Sequence, residues 1–215
     1  MLSLYGHPFS SYTWKALIPL YANGTDFTFR TLGEGNAGDD ALVHAASPQG
    51  KFPVLADGAS TVFEATSIIE YLALHHPGPA PLIPADPDAA QRARMWDRMF
   101  DNYVMSIMQE PVAEVIATGT LSEATRQSVA TRLERSYRWI DAWLADYPVS
   151  DAISIVECAA APSLFYADWV HQIPAEFARL RHWRAHLLTL PPVKRCVDDA
   201  RPFRHYFPLG APDRD

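Results

Sequence analysis

The sequence predicts an α/β domain followed by an all-helical domain, on three observations. The first third of the chain alternates short β-type runs with helical runs. A proline cluster then interrupts it: Pro77, Pro79, Pro81, Pro84 and Pro87 fall between His76 and Asp88, a density that no helix interior or central strand tolerates. Beyond the cluster, apolar residues recur at helical spacing. Composition shifts at the same place. Residues 1–78 carry three basic side chains (Lys15, Arg30, Lys51) against seven acidic ones, and the remainder carries fifteen against eighteen. The expected boundaries are 1–78 for the α/β domain, 79–87 for the linker and 88–215 for the helical domain.

Taken in order, residues 2–5 read as a strand and 12–22 as a helix. A second strand over 27–32 and a short helix over 39–46 follow. Strands over 54–56 and 61–63 flank Asp57-Gly58, a hairpin signal, and 65–75 reads as a helix. The order β-α-β-α-β-β-α gives a small sheet with helices on its faces. In the second part Met95, Trp96, Met99, Phe100, Tyr103, Val104, Ile107 and Met108 share a broad apolar helix face. Val129, Leu133, Tyr137, Ile140 and Leu144 repeat that spacing. Ser154-Ile155-Val156-Glu157 has the capping-box pattern, with the glutamate three residues after the serine. It opens a nearly all-apolar helix to Val170, which should be central. Shorter helices are expected around 175–188 and 191–201, and Phe203, Tyr206 and Phe207 should pack the tail down.

The formal charge of −7 argues against nucleic acid or an anionic membrane surface as the main partner. No apolar run approaches the roughly 20 residues that span a bilayer, and the N-terminal residues lack a signal-peptide pattern. Cys158 and Cys196 form no paired motif, as expected of free thiols in a reducing cytoplasm. Gly33-Glu34-Gly35-Asn36-Ala37-Gly38 fits G-x-G-x-x-G, with Asp57 downstream, but the helix after it is too short and no further βαβ unit follows. A flexible glycine-rich loop is the expected reading. His182 and His186 lack the glutamate and third ligand of a zinc site, so no metal is expected. No G-x-S-x-G elbow exists to support serine hydrolase chemistry.

Three segments carry chemistry. Pro53 interrupts the apolar run Phe52-Pro53-Val54-Leu55, where it cannot donate to a ladder. An aromatic-proline bond is a candidate cis site. The backbone of Val54 is then free to pair with an extended peptide-like ligand, as an exposed sheet edge does. Ten residues on, Glu64 opens a helix whose unpaired N–H groups attract a carboxylate. Ahead of both, His7-Pro8-Phe9-Ser10-Ser11-Tyr12 leads into the first helix. A serine there is ordinarily a cap; alternatively its hydroxyl donates to a bound thiolate. That bond, worth about 1.5–3 kcal/mol, would lower a thiol from about 8.5 by roughly one to two units.

Pro8-Phe9-Ser10-Ser11, then Ser47-Pro48-Gln49-Gly50-Lys51-Phe52-Pro53-Val54-Leu55, then Phe63-Glu64 through Tyr71-Leu72 resemble a cytosolic glutathione transferase of the serine type, bacterial-like. The resemblance implies a thioredoxin-like domain, an all-α domain, glutathione as cosubstrate without a metal, a hydrophobic electrophile, a detoxifying role and a homodimer. It implies that Ser10, or its neighbour Ser11, holds the glutathione thiolate. Pro53 corresponds to the family's cis-proline and Val54 to the residue pairing with the cysteinyl backbone. Lys51 and Phe52 flank the glycyl end, while Glu64, Ala65 and Thr66 face the γ-glutamyl end. Tyr12, Met99 and Tyr103 are the expected electrophile pocket. Where the family has Glu-Ser, this chain has Glu64-Ala65. A non-catalytic glutathione-binding or assembly module, a zeta-like isomerase, and an unrelated ligand-binding protein on the same scaffold stay open as alternatives.

Overall fold

A computed structural model describes residues 1–33 and 35–215. Strands β1 (Leu2–Gly6), β2 (Thr28–Thr31), β3 (Val54–Asp57) and β4 (Ser60–Phe63) form one sheet in the order β2-β1-β3-β4. β1 runs parallel to β2 and antiparallel to β3, and β3 runs antiparallel to β4. A parallel pair needs a crossover, supplied here by α1 (Ser11–Ala22). α2 (Ala37–Ala46) and α3 (Ala65–His75) complete this thioredoxin-like layer. Side-chain alternation decides which face each helix covers. Leu4 and Leu55, paired across β1 and β3, are buried in one core with Leu17 and Ile18 of α1 and Ile68 and Ile69 of α3. The next pair, Tyr5 and Val54, packs instead with Val43 of α2.

The helical domain contains α4 (Pro87–Phe100), a π-helical turn (Asp101–Met105), α5 (Ser106–Thr118), α6 (Glu123–Trp143), α7 (Ile155–Val170), α8 (Ala178–Thr189) and α9 (Pro191–Ala200), then a 3-10 segment (Arg201–Tyr206). The helical run expected over 95–108 is therefore split by the π turn. Pro87 belongs to α4 rather than to an irregular segment, because a proline at the first helical position gives up an N–H that has no partner there. Asp86 caps this helix, accepting from Ala89 N at 2.8 Å. Among the described residues no helix is long and apolar enough to cross a membrane.

α7 is buried at every position from Ile155 to Trp169. Its start is fastened by the capping box expected from sequence: Ser154 N donates to Glu157 Oε2 at 2.9 Å, and Ser154 Oγ accepts from Val156 N at 3.1 Å. The Tyr147 hydroxyl donates to the other Glu157 oxygen at 2.5 Å. The proline-rich segment is tied to both layers. Ile155 N donates to Leu82 O at 2.8 Å, and Ala80 N donates to Asn23 Oδ1 at 2.7 Å. A Cβ on Gly78 would come within 2.6 Å of the Asn23 side chain, so only glycine fits that approach.

One charged cluster joins α1, α3 and α4. The Lys15 side chain is 1% exposed, yet its ammonium lies 2.6 Å from Asp97 Oδ1 and 2.6 Å from Asp101 Oδ2 and donates to Thr66 Oγ1 at 2.9 Å. Thr66 Oγ1 in turn donates to Asp97 Oδ2 at 2.9 Å, and Arg98 donates to the same oxygen at 2.8 Å. From sequence, Arg94, Arg98 and Asp101 along this helical run are expected to form a solvated or dimer-facing edge. Asp101 instead turns inward, because Lys15 cannot be buried without carboxylate partners.

Removing the α7 cap tests its contribution. Ser154→Ala should lower the unfolding free energy by about 1 kcal/mol. Glu157→Ala should lower it by about 2–4 kcal/mol, since the Tyr147 hydroxyl and the Ser154 amide both lose their acceptor. Urea unfolding separates the two, and equal losses would sink this account. Burial pushes the Asp101 carboxyl above its usual range, against the pull of Lys15. The folded state then binds this proton more tightly than the unfolded state, so Asp101 makes stability fall as pH rises through the interval just above the ordinary carboxylate range. The stability of wild type relative to Asp101→Asn should decrease across that interval. A constant difference in urea titrations would contradict the sign.

Candidate functional site

Sheet register brings the three chemistry-bearing segments together. Tyr5 pairs with Val54, and Val54 pairs with Phe63. Because β3 is antiparallel to both neighbours, the end of β1, the start of β3 and the end of β4 lie at one edge of the sheet. The loop to Ser10, the Phe52-Pro53-Val54 turn and the Glu64-Ala65 junction leave from that edge.

The loop between β1 and α1 is held at each residue. Ser10 N donates to His7 O at 3.0 Å and Phe9 N to His7 Nδ1 at 3.1 Å. Trp14 Nε1 donates to Pro8 O at 2.6 Å, and the Tyr166 hydroxyl of α7 donates to Phe9 O at 2.8 Å. Burial keeps the His7 imidazole below its usual range, consistent with a lone pair on Nδ1. Ser10 is the N-cap of α1: its Oγ accepts from Thr13 N at 3.3 Å, leaving its own proton available to a ligand. Ser10 is half-buried, whereas Ser11, the first helical residue, is buried at 6% exposure. Phe203 meets His7 edge-on, with ring centroids 4.8 Å apart, and Phe207 is buried against Phe9 and Trp169. The tail thus packs down, although Tyr206 remains exposed.

The Phe52-Pro53 bond is cis. Pro53 immediately precedes β3, so the proline does not interrupt a strand, and β3 is an interior strand flanked by β1 and β4. Only the start of β3, at Val54, borders the candidate site. Glu64 has φ 69° and ψ 119°, positive φ for a non-glycine residue, which costs about 1–3 kcal/mol and persists only where neighbouring structure enforces it. Ala65 is buried, Thr66 Oγ1 is committed to Lys15 and Asp97, and Ser67 is exposed in the first turn of α3. Lys51 and Phe52 are exposed, and Lys51 N donates to Ser47 Oγ at 3.1 Å. His44 packs so closely over Gly50 that a Cβ there would lie 2.3 Å from its Nδ1.

Tyr12 is half-buried. Burial first, and the nearby Asp101 carboxylate second, push this phenol up, so it acts as a neutral donor. Met99 and Tyr103 are not brought beside it. They line a cleft of about 920 Å³ between α4 and α6, together with Met95, Arg94, Arg135 and Trp139, and no residue of the Ser10 loop borders that cleft. Helical spacing placed Met99 and Tyr103 on one apolar face correctly, but that face is broad. Its buried side carries Trp96, Phe100 and Val104. Lys15 was missed as a site-forming residue; the available signal was a lone lysine inside the apolar run of α1. His44 was missed too, with no signal beyond its position three residues before Ser47.

Among the described residues no group of three His, Cys, Asp or Glu side chains could hold a metal. His186 Nε2 instead lies 3.0 Å from Ser150 O. Asp57, a ribose ligand if the glycine-rich motif were a dinucleotide site, is engaged by the His76 imidazole at 2.7 Å and the Tyr71 hydroxyl at 3.1 Å. Glu34 of that motif lies outside the described residues.

The family model of the glutathione S-transferase N-terminal domain matches residues 4–80. A glutathione S-transferase from Silene vulgaris is 33% identical over 76 residues, 35% of this chain and 35% of that protein. The match thus spans about a third of the relative's length. Among solved structures, a bacterial maleyl pyruvate isomerase, described as a zeta-class glutathione S-transferase, superposes with a TM-score of 0.75 at 22% identity, covering 99% of this chain and 100% of that one. A glutathione S-transferase from Methylobacillus flagellatus with glutathione bound gives 0.76 at 23% identity, covering 91% and 98%. These likenesses establish a shared fold across both domains. Residues 4–80 thus resemble the N-terminal domain of glutathione S-transferases, and the chain as a whole has the fold of those enzymes.

Proposed function

We propose that the protein binds glutathione at the β1–β3–β4 edge of the sheet and transfers its thiolate to an apolar electrophile. The observation that carries this reading is the Tyr5–Val54–Phe63 register, which gathers Ser10, Val54 and the Glu64-Ala65 junction at one edge. On this reading the γ-glutamyl carboxylate lies over the N–H groups opening α3, beside Glu64 and Ala65. The cysteinyl backbone meets Val54 after Pro53, and the glycyl carboxylate reaches toward Lys51 and Phe52. Thr66 supports this site from beneath, since its hydroxyl is already engaged.

The Ser10 hydroxyl donates to the sulfur, and the N-terminal end of the α1 dipole favours the same charge. The thiol proton leaves to solvent, and the sulfur lone pair forms the new bond to an electrophilic carbon. A leaving group departs with its bonding pair, or an adjacent double bond takes up the electrons. Tyr12 lines the electrophile side as a neutral hydroxyl. Ala65 favours a second reading, a glutathione-binding module without turnover, because a buried methyl group stands where the family carries a hydroxyl. We assign the site to residues 1–78, joined by 79–87 to a helical unit over 88–215. Free, buried Cys158 and Cys196 suit a reducing cytoplasm.

A homodimer through the α4–α6 face is part of the same proposal. Met95, Tyr103 and Trp139 are 50%, 61% and 68% exposed there, beside one another. Such a cluster of large apolar side chains suits burial against a second copy.

Ser10→Ala should raise the pKa of the bound thiol by roughly one to two units and cut conjugation of a chlorinated nitroaromatic at neutral pH about tenfold or more. Ultraviolet thiolate absorbance and initial rates measure both. If Ser11→Ala abolishes them while Ser10→Ala does not, the assignment moves by one residue. Retention on immobilised glutathione without turnover of common electrophiles would favour the module. Trp139→Asp should convert a dimer to a monomer in sedimentation velocity, and an unchanged sedimentation coefficient would remove this face from the interface.

A further inference from the structure

We propose that Lys15 is a positioning residue for the ligand site: it holds the first turn of α3 in place through the Thr66 hydroxyl without touching ligand. The inference rests on the reading of the α3 start as the glutamyl site of glutathione, and extends it to a residue on another helix.

The Lys15 ammonium donates to Thr66 Oγ1 and Asp101 Oδ2 and lies 2.6 Å from Asp97 Oδ1. With Arg98 on Asp97, the four charges sum to zero. A cluster of balanced charge, tied by hydrogen bonds among α1, α3 and α4, suits a fixed support. Its placement gives it leverage. Thr66 is the second residue of α3 and lies two residues after Glu64, whose φ of 69° must be imposed by its surroundings. Lys15 lies on α1, five residues after Ser10, so the helix that presents the thiolate hydroxyl also anchors the turn that receives the carboxylate. The distance between the thiolate and the glutamyl carboxylate of a bound tripeptide is thereby set by one rigid element. The π turn beginning at Asp101 marks where α4 deviates from regular winding beside this contact, and such bulges recur at functional sites.

Two variants separate the hydroxyl tie from bulk. Thr66→Val keeps the volume and loses the hydroxyl; Thr66→Ser keeps the hydroxyl. Amide hydrogen exchange of residues 65–68, measured without ligand, should accelerate at least tenfold in Thr66→Val and stay near wild type in Thr66→Ser. Glutathione titration calorimetry should show about tenfold weaker binding for Thr66→Val, near-wild-type binding for Thr66→Ser, and a raised KM with kcat changed less than twofold. Lys15→Met should reproduce the Thr66→Val exchange pattern where it folds. Unaltered exchange in Thr66→Val overturns the proposal whatever glutathione does, and equal losses in Thr66→Ser overturn the role of the hydroxyl. A wild-type protein that fails to bind glutathione overturns the functional reading, while the ligand-free exchange comparison still decides on Lys15.

Discussion

Lys15 brings a full positive charge to a place with 1% exposure, and much of the architecture answers that demand. An ammonium stripped of water must be repaid by close oxygens, and removing one partner of such a pair typically costs 3–5 kcal/mol. The oxygens here come from α3, α4 and the π turn, so α1 cannot dock against the helical domain in another register without stranding a charge. Hydrophobic contact between α1 and α7 supplies the larger share of cohesion, through Trp14, Leu17 and Phe165 among others. Such contact is non-directional; the charge cluster selects one arrangement from those that apolar packing allows.

A second constraint acts at the other end of the same helix. The loop before Ser10 spends its carbonyls on Trp14 Nε1 and on the Tyr166 hydroxyl of α7, and its imidazole on Phe9 N. Ser10 therefore reaches solvent from a backbone that has little freedom left. On the proposed reading, preorganisation of this kind would let a single hydroxyl stabilise a thiolate without reordering when the charge forms. Central helix α7 contributes to that geometry from a position buried along its length, which links the capping box at Ser154 to the orientation of a residue in the opposite domain.

Most of the fold was legible because its signals are local. The Asp57-Gly58 turn, the Ser154–Glu157 box and the proline cluster each act within a few residues. The Phe52-Pro53 and Glu64 segments were legible for the same reason, and register did the rest. What stayed hidden depends on distant partners. Lys15 meets Thr66 and Asp101 across 51 and 86 residues of chain, and no periodicity connects them. Periodicity found the apolar face of α4 but not its orientation, since Phe100 and Tyr103 satisfy the same spacing while one is buried and the other exposed. Pro53 misled in a smaller way. An apolar run suggested a strand through it, whereas the strand begins at the residue after it.

The fastening of the proline-rich segment bears on how such a protein can diversify. Asn23 grips Ala80 and crowds Gly78, while Leu82 is bonded to the first residue of α7. A connection clamped at both ends is a spar rather than a hinge, and the two halves it joins hold one mutual pose. New chemistry on this frame is then more readily reached by exchanging side chains than by changing how the two halves meet.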